Sequence, residues 1–200
     1  MKEGSVYIGF LAPLSRAATL DVFCKRRITG FSMEYVPRIT RAQSMDALSA
    51  MATVAGYKAV LLATEKLGKM FPLLMTAAGT VPPAIVLILG AGVAGLQAIA
   101  TAKRLGAKVE AFDPRPAVID QVKSLGATFI EMEMPKDAET AGGYAKELSP
   151  EFIKKEWETI SARLPKVDVV ITTAQVFGKR APTLITADMV NLLRPGAVIV

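Results

Sequence analysis

Two segments of this 200-residue chain carry residue types and spacings that could do chemistry. One is Gly90-Ala91-Gly92-Val93-Ala94-Gly95, which directly follows the apolar block Ala84-Ile85-Val86-Leu87-Ile88-Leu89. Between a strand and a helix, glycines at this spacing have separate tasks. Gly90 permits the tight turn, Gly92 lets the backbone approach a pyrophosphate, and Gly95 lets helix and strand pack closely. The helix start at Val93 and Ala94 then offers N–H groups and a positive dipole end to phosphates. Asp113 lies 23 residues past Gly90, at the end of the next predicted strand. A carboxylate there accepts hydrogen bonds from the adenosine ribose and repels a 2′-phosphate, which favours NAD over NADP. A plainer reading is open: the glycines serve packing and Asp113 caps a helix beginning near Pro116. Arg115, two residues on, either weakens the exclusion of a 2′-phosphate or contacts phosphate only.

The other segment is Arg38-Ile39-Thr40-Arg41-Ala42-Gln43-Ser44-Met45-Asp46-Ala47-Leu48-Ser49. Arg38, Gln43, Asp46 and Ser49 place a cation, an amide, a carboxylate and a hydroxyl around a helix start. Gln43, Asp46 and Ser49 follow one another at intervals of three, so on a helix they share a face. An amide-bearing ring such as a nicotinamide needs both a donor and an acceptor, which Gln43 and Asp46 supply. The alternative is ordinary N-capping by Thr40 or Ser44 beside a solvated Arg38–Asp46 pair.

The elements that must position these residues alternate in type. Residues 6–10 read as a strand, 15–27 as a helix, 30–36 as a second strand, and 43–67 as a long Ala- and Met-rich helical stretch suited to close packing. From residue 84 the alternation is regular. Strands are expected at 84–89, 108–112, 128–131, 167–172 and 197–200. Helices are expected at 94–105, 117–125 and 187–193, with another opened by Ser149-Pro150 and running to about 164. This order predicts an α/β protein with a doubly wound, parallel Rossmann sheet, preceded by part of a second α/β domain. The expected division is 1–55 for the C-terminal part of the first domain and the start of a linker helix, and 56–200 for the Rossmann domain. Residues 197–200 stop without a cap or a following helix, so a longer parent chain is expected.

Residues 70–102 carry no charge, a run long enough to span a bilayer. Pro72, Pro82 and Pro83 break a helix there, and Gly79, Gly90, Gly92 and Gly95 punctuate the rest. The β-branched block 84–89 is the pattern of a parallel strand buried on both faces. A soluble core is the reading. At 52% hydrophobic and 21% charged residues, disorder is excluded. The net charge of +6 is scattered and aromatics make up only 6%, so nucleic-acid binding is not expected. One cysteine, Cys24, rules out a disulfide framework, and the absence of histidine removes the commonest general base and metal ligand; no metal site is expected. After Met1-Lys2-Glu3-Gly4-Ser5 no apolar stretch has the length and flanks of a signal peptide.

The segment Arg38 to Ser49, with Ala55-Gly56-Tyr57 and Gly90-Ala91-Gly92-Val93-Ala94-Gly95-Leu96-Gln97-Ala98, resembles the NAD(H)-binding domain of the alpha subunit of proton-translocating NAD(P) transhydrogenases, relatives of alanine dehydrogenase. The resemblance runs along nearly the whole chain. It implies that NAD(H) is bound and presented for direct hydride transfer to NADP⁺ on a partner domain, coupled to proton translocation in the full enzyme. It also implies a membrane-spanning partner domain, a homodimer at full length, and a place on the cytoplasmic face of the inner membrane, with this segment soluble and inactive alone. Arg38, Gln43, Asp46 and Ser49 are then placed around the nicotinamide, with Gln43 and Asp46 as the residues at the reacting ring. The glycine turn and Asp113 hold pyrophosphate and ribose. Gly142-Gly143-Tyr144-Ala145 matches the family's mobile loop, and Tyr144 folds over bound nucleotide. The family's usual Thr-Ala-Leu-Ile-Pro-Gly-Lys/Arg-Pro-Ala-Pro is here Thr173-Ala174-Gln175-Val176-Phe177-Gly178-Lys179-Arg180-Ala181-Pro182, a departure near the nicotinamide. Competing readings are an alanine dehydrogenase-like amino-acid oxidoreductase and a non-catalytic NAD-binding module.

Overall fold

The computed structural model describes residues 1–132, 149–175 and 180–200. The chain divides into two compact units, Met1–Ala52 and Thr53–Val200. In the first, β1 (Val6–Gly9) pairs in parallel with β2 (Thr29–Ser32) across α1 (Ala17–Lys25). The strand expected to reach residue 36 ends at Ser32 and passes into a 3-10 turn, Met33–Tyr35. A longer 3-10 turn occupies Thr40–Met45, and α2 runs from Ala47 to Lys66. The long helix therefore begins four residues later than its Ala- and Met-rich pattern suggests. The division between the units lies within α2.

The charge-free run is not one element. It holds a hairpin, β3 (Leu74–Thr76) and β4 (Gly79–Val81), then β5 (Ile85–Leu89) and most of α3 (Val93–Arg104). The hairpin is absent from the sequence expectations because three-residue strands carry no detectable period. Its turn relies on Gly79 at φ +125, a conformation side-chain-bearing residues rarely adopt. Among the described residues, α2 is long and apolar enough to cross a membrane, at a mean hydropathy of 1.4.

The remaining elements are β6 (Lys108–Phe112), α4 (Ile119–Ser124, entered through a 3-10 turn at Pro116–Val118), β7 (Thr128–Phe129), α5 (Pro150–Ser161), β8 (Val169–Thr172), α6 (Ala187–Val190) and β9 (Val198–Ile199). Ser149 caps α5 as expected, its hydroxyl oxygen accepting the Phe152 N–H at 3.3 Å. The five strands β5–β9 form one sheet in the order β7-β6-β5-β8-β9, every neighbouring pair parallel.

β5 shows why the pattern is continuous rather than alternating. Val86, Leu87, Ile88 and Leu89 are all fully buried. Val86 and Ile88 face a core with Val60 and Ala63 of α2, Ala98 and Ile99 of α3, and Val122 of α4. Leu87 and Leu89 face the opposite core with Ile160 of α5, Met189 of α6, and Leu164. Burial of such side chains contributes about 1.5–3 kcal/mol each. Helices thus cover both faces, which is the doubly wound Rossmann arrangement. Helix approach is close: a Cβ on Gly56 of α2 would stand 2.1 Å from the Ala94 carbonyl oxygen.

Candidate functional site

The strand order reverses at β5, whose neighbours are β6 on one side and β8 on the other. In open α/β sheets, ligands sit outside the carboxyl ends of strands at such a switch point. Gly90, Gly92, Val93, Ala94, Gly95 and Asp113 all lie at that end of β5 and β6. Two of the glycines answer to the protein's own packing. Gly90 has φ +99, and a Cβ there would lie 2.8 Å from the Thr173 Oγ1. On Gly95 a Cβ would fall 1.8 Å from the Gly90 carbonyl oxygen. Gly92 is different. Its φ of −75 and ψ of −165 suit any residue, and a Cβ would meet nothing nearer than Arg115 Nη2 at 3.9 Å. Space is therefore open just before α3.

At the same place α3 has no side-chain cap. Its first helical hydrogen bond runs from the Leu96 N–H to the Gly92 carbonyl at 2.8 Å, so the N–H groups of Val93, Ala94 and Gly95 precede the ladder. Asp113, 2% exposed, ties the turn to β6: its Oδ2 accepts the Ala91 N–H at 2.7 Å. It does not cap the turn at Pro116, whose N-cap is Arg115 without a side-chain cap. Instead its Oδ1 accepts the Arg115 N–H at 2.9 Å and Nε–H at 2.8 Å, and Oδ2 accepts Nη2–H at 2.8 Å. The uncapped helix start and the space at Gly92 fit a diphosphate, while the Asp113 carboxylate beside them already accepts four hydrogen bonds from the protein.

Two participants do not stand out in the sequence. Thr173, directly after β8, donates its hydroxyl to the Gly90 carbonyl at 2.9 Å and its N–H to the Leu89 carbonyl at 2.8 Å. It closes the switch point from the β8 side. A hydroxyl residue ending the strand that follows the crossover was the available signal. Glu156 of α5 is buried at 4% exposure, one helical turn before the core residue Ile160. Burial, and then the charge of Asp113, push its carboxyl up to about 7. Its signal was a carboxylate at an apolar-face position of an amphipathic helix.

The first unit holds Arg38, Gln43, Asp46 and Ser49. Asp46 caps α2: its Oδ1 accepts the Ser49 N–H at 2.9 Å, and its Oδ2 accepts the Ser49 hydroxyl at 2.7 Å. Neither Thr40 nor Ser44 caps this helix, because the 3-10 turn through Met45 delays its start until after Asp46. The hydroxyl and N–H of Ser49 hold the Asp46 carboxyl below its ordinary value; the Arg38 charge adds to this, and burial opposes it. Arg38 and Gln43 are exposed. Tyr144, with Gly142, Gly143 and Ala145, lies outside the described residues, as do Val176 to Lys179 of the departing segment. Among the described residues, no cluster of three or more acidic or cysteine side chains could hold a metal.

Two family models match: alanine dehydrogenase/PNT N-terminal domain over residues 1–55, and the C-terminal domain of the same family over residues 59–200. The chain belongs to the alanine dehydrogenase/PNT family. It is 54% identical over its whole length to a protein of Rhodospirillum rubrum named as the first portion of NAD(P) transhydrogenase subunit alpha, covering 53% of that protein. Against NAD(P) transhydrogenase subunit alpha of Haemophilus influenzae it is 46% identical, again over its whole length, and covers 39%. Among solved structures, transhydrogenase from Sinorhizobium meliloti superposes with a TM-score of 0.87 at 44% identity, over 99% of this chain and 53% of that one. The chain thus spans about half the length, or less, of the relatives it matches. The likeness supports an oxidoreductase family with a Rossmann-like, pyridine nucleotide-dependent fold.

Proposed function

We propose that this chain binds NAD(H) and presents its nicotinamide for direct hydride transfer to NADP⁺ held on a partner domain. In the whole enzyme the transfer is coupled to proton movement through a membrane-spanning domain, with the full-length protein a homodimer on the cytoplasmic face of the inner membrane. The single observation that carries the nucleotide reading is Gly92, a glycine that neither its backbone angles nor its neighbours require. The diphosphate lies against that glycine and the first N–H groups of α3, and Asp113 takes the adenosine ribose. The high identity to proteins named transhydrogenase favours this acceptor over an amino acid.

When bound, the nicotinamide supplies the hydride or takes it up. Ring-to-ring transfer requires no proton at the reacting carbons, so the chain's task is to hold the ring about 3–3.5 Å from its acceptor and to exclude water. A segment without histidine suits that task. Gln43 and Asp46 orient the carboxamide, the amide donating and accepting and the carboxylate, held ionised by Ser49, accepting. Ser49 keeps Asp46 in place. Arg38 adds positive charge beside that carboxylate.

The test is hydride exchange by the full-length protein with NADH, an NADP⁺ analogue and the NADP-binding partner. Exchange without any amino-acid substrate is the expected result. Turnover only with pyruvate and ammonia identifies an amino-acid dehydrogenase, and NADH binding without either leaves a binding module. Gln43→Asn is expected to leave NADH binding nearly intact and slow transfer, while Asp113→Ala weakens binding; equal effects on binding overturn the assigned roles.

A further inference from the structure

The Asp113 carboxylate has no vacant side. Four donors surround it: the Ala91 N–H at 2.7 Å and the Arg115 N–H, Nε–H and Nη2–H at 2.9, 2.8 and 2.8 Å. A carboxylate has about four lone-pair positions, so it is saturated, and its side chain is 3% exposed. A ribose diol offering two further hydroxyls can enter only by exchange. The backbone donors belong to the two turns and cannot leave without unfolding them. The guanidinium edge can. Arg115 Nη2 also lies 3.9 Å from where a Cβ of Gly92 would stand, so the guanidinium reaches from the carboxylate toward the glycine turn.

We propose that Arg115 is a specificity-determining residue of this site, exchanged off Asp113 by the ribose hydroxyls of NAD(H) and left beside the ribose 2′-oxygen. This rests on the reading of the glycine turn as the NAD(H) site. Two charge-assisted bonds from the guanidinium give way to two from hydroxyls, so the exchange is close to balanced for NAD(H). With a 2′-phosphate one hydroxyl donor is gone and the Asp113 charge opposes the ligand, whereas the displaced guanidinium attracts it. The net discrimination is the difference between those two charges. Remove the carboxylate, and the planar fork of Arg115 has a phosphate as its natural bidentate partner.

The experiment measures NADH affinity by calorimetry, and NADPH affinity by competition, on the full-length protein and its Arg115→Gln, Asp113→Ser and doubly substituted variants, with thermal melts as a fold control. Arg115→Gln is expected to weaken NADPH about tenfold and to change NADH less than about threefold. Asp113→Ser is expected to lose NADH affinity and to gain about tenfold for NADPH, the gain shrinking at high salt. The double variant should lose that gain. An NADH-to-NADPH preference unchanged by Arg115→Gln overturns the proposal, and so does a double variant that keeps the gain. The Arg115→Gln arm decides the question if Asp113→Ser does not fold. Wild-type protein giving no heat with NADH overturns the underlying nucleotide reading instead.

Discussion

Glu156→Gln should make the protein more stable in alkaline solution and leave it almost unchanged in acid. The Glu156 carboxyl is carried from an ordinary 4.5 up to about 7, first by burial and second by the Asp113 charge. A raised carboxyl means that the folded chain binds more protons than the unfolded one between those two values. Stability therefore falls as pH rises through that window, and the full loss is present above about pH 7. The span from 4.5 to about 7 corresponds to about 3 kcal/mol. Glutamine keeps the shape and never ionises, so the variant escapes the loss. At about 2–4 °C per kcal/mol for a domain of this size, the gain in Tm at pH 8 is about 6–12 °C. Urea unfolding of full-length wild type and variant at pH 4.5 and pH 8 measures the difference, and titrations common to both proteins cancel. Parallel pH profiles would refute the reasoning, since a Glu156 that ionises as freely as in water carries no such penalty. Asp113→Asn separates the two causes: with that charge gone, the wild-type transition moves to lower pH.

Gly92→Ala is expected to melt within about 2 °C of wild type while weakening NADH binding about tenfold, because its Cβ meets open space that the diphosphate needs. Gly95→Ala places a Cβ 1.8 Å from the Gly90 carbonyl and should cost about 3 kcal/mol or more, read as a large fall in Tm; equal melting of the two variants would contradict the assignment. Asp46→Ala removes the cap of α2 and should cost about 1 kcal/mol at pH 7, by urea titration. Because the folded Asp46 carboxyl lies below its ordinary 3.8, its contribution is present above that value and is lost as pH falls through the lowered one. The difference between wild type and Asp46→Ala should therefore close in strong acid.

The central strands β5 and β8 are legible because they are short, apolar and β-branched, and because burial on both faces leaves no polar alternation to mislead. β5, β6 and β8 fall where residues 84–89, 108–112 and 167–172 were expected. Where local and tertiary signals compete, local propensity misplaces the boundary. Thr40 and Ser44 are good capping residues, yet Asp46 caps α2, since the 3-10 turn through Met45 takes up both candidates before the helix begins. The grip of Arg115 on Asp113 was not legible: a cation two residues after a carboxylate is compatible with solvent, phosphate or an ion pair, and only the turn's geometry selects the pair. Glu156 sits at an apolar-face position of α5, one turn before Ile160, yet only the elements that pack over the helix decide that its carboxyl is buried.

The glycine motif shows how one string can encode fold and function separately. Gly90 and Gly95 are demanded by contacts inside the protein, a threonine hydroxyl in one case and a backbone oxygen in the other. Any chain with this turn needs them, whether or not it binds a nucleotide. Gly92 has no internal claimant. A residue whose side chain would be free to exist, in a backbone conformation open to every amino acid, is informative when it is glycine, since removing the side chain costs conformational entropy on folding and relieves no contact inside the protein. On the proposed reading a bound diphosphate fills the space a side chain would take. On that reading the occupant carries negative charge toward the helix N–H groups of α3, and hydroxyl donors that reach Asp113 only as Arg115 leaves it. A diphosphate joined to a ribose meets both requirements, and the Gly92→Ala and Gly95→Ala pair tests them independently of any turnover assay.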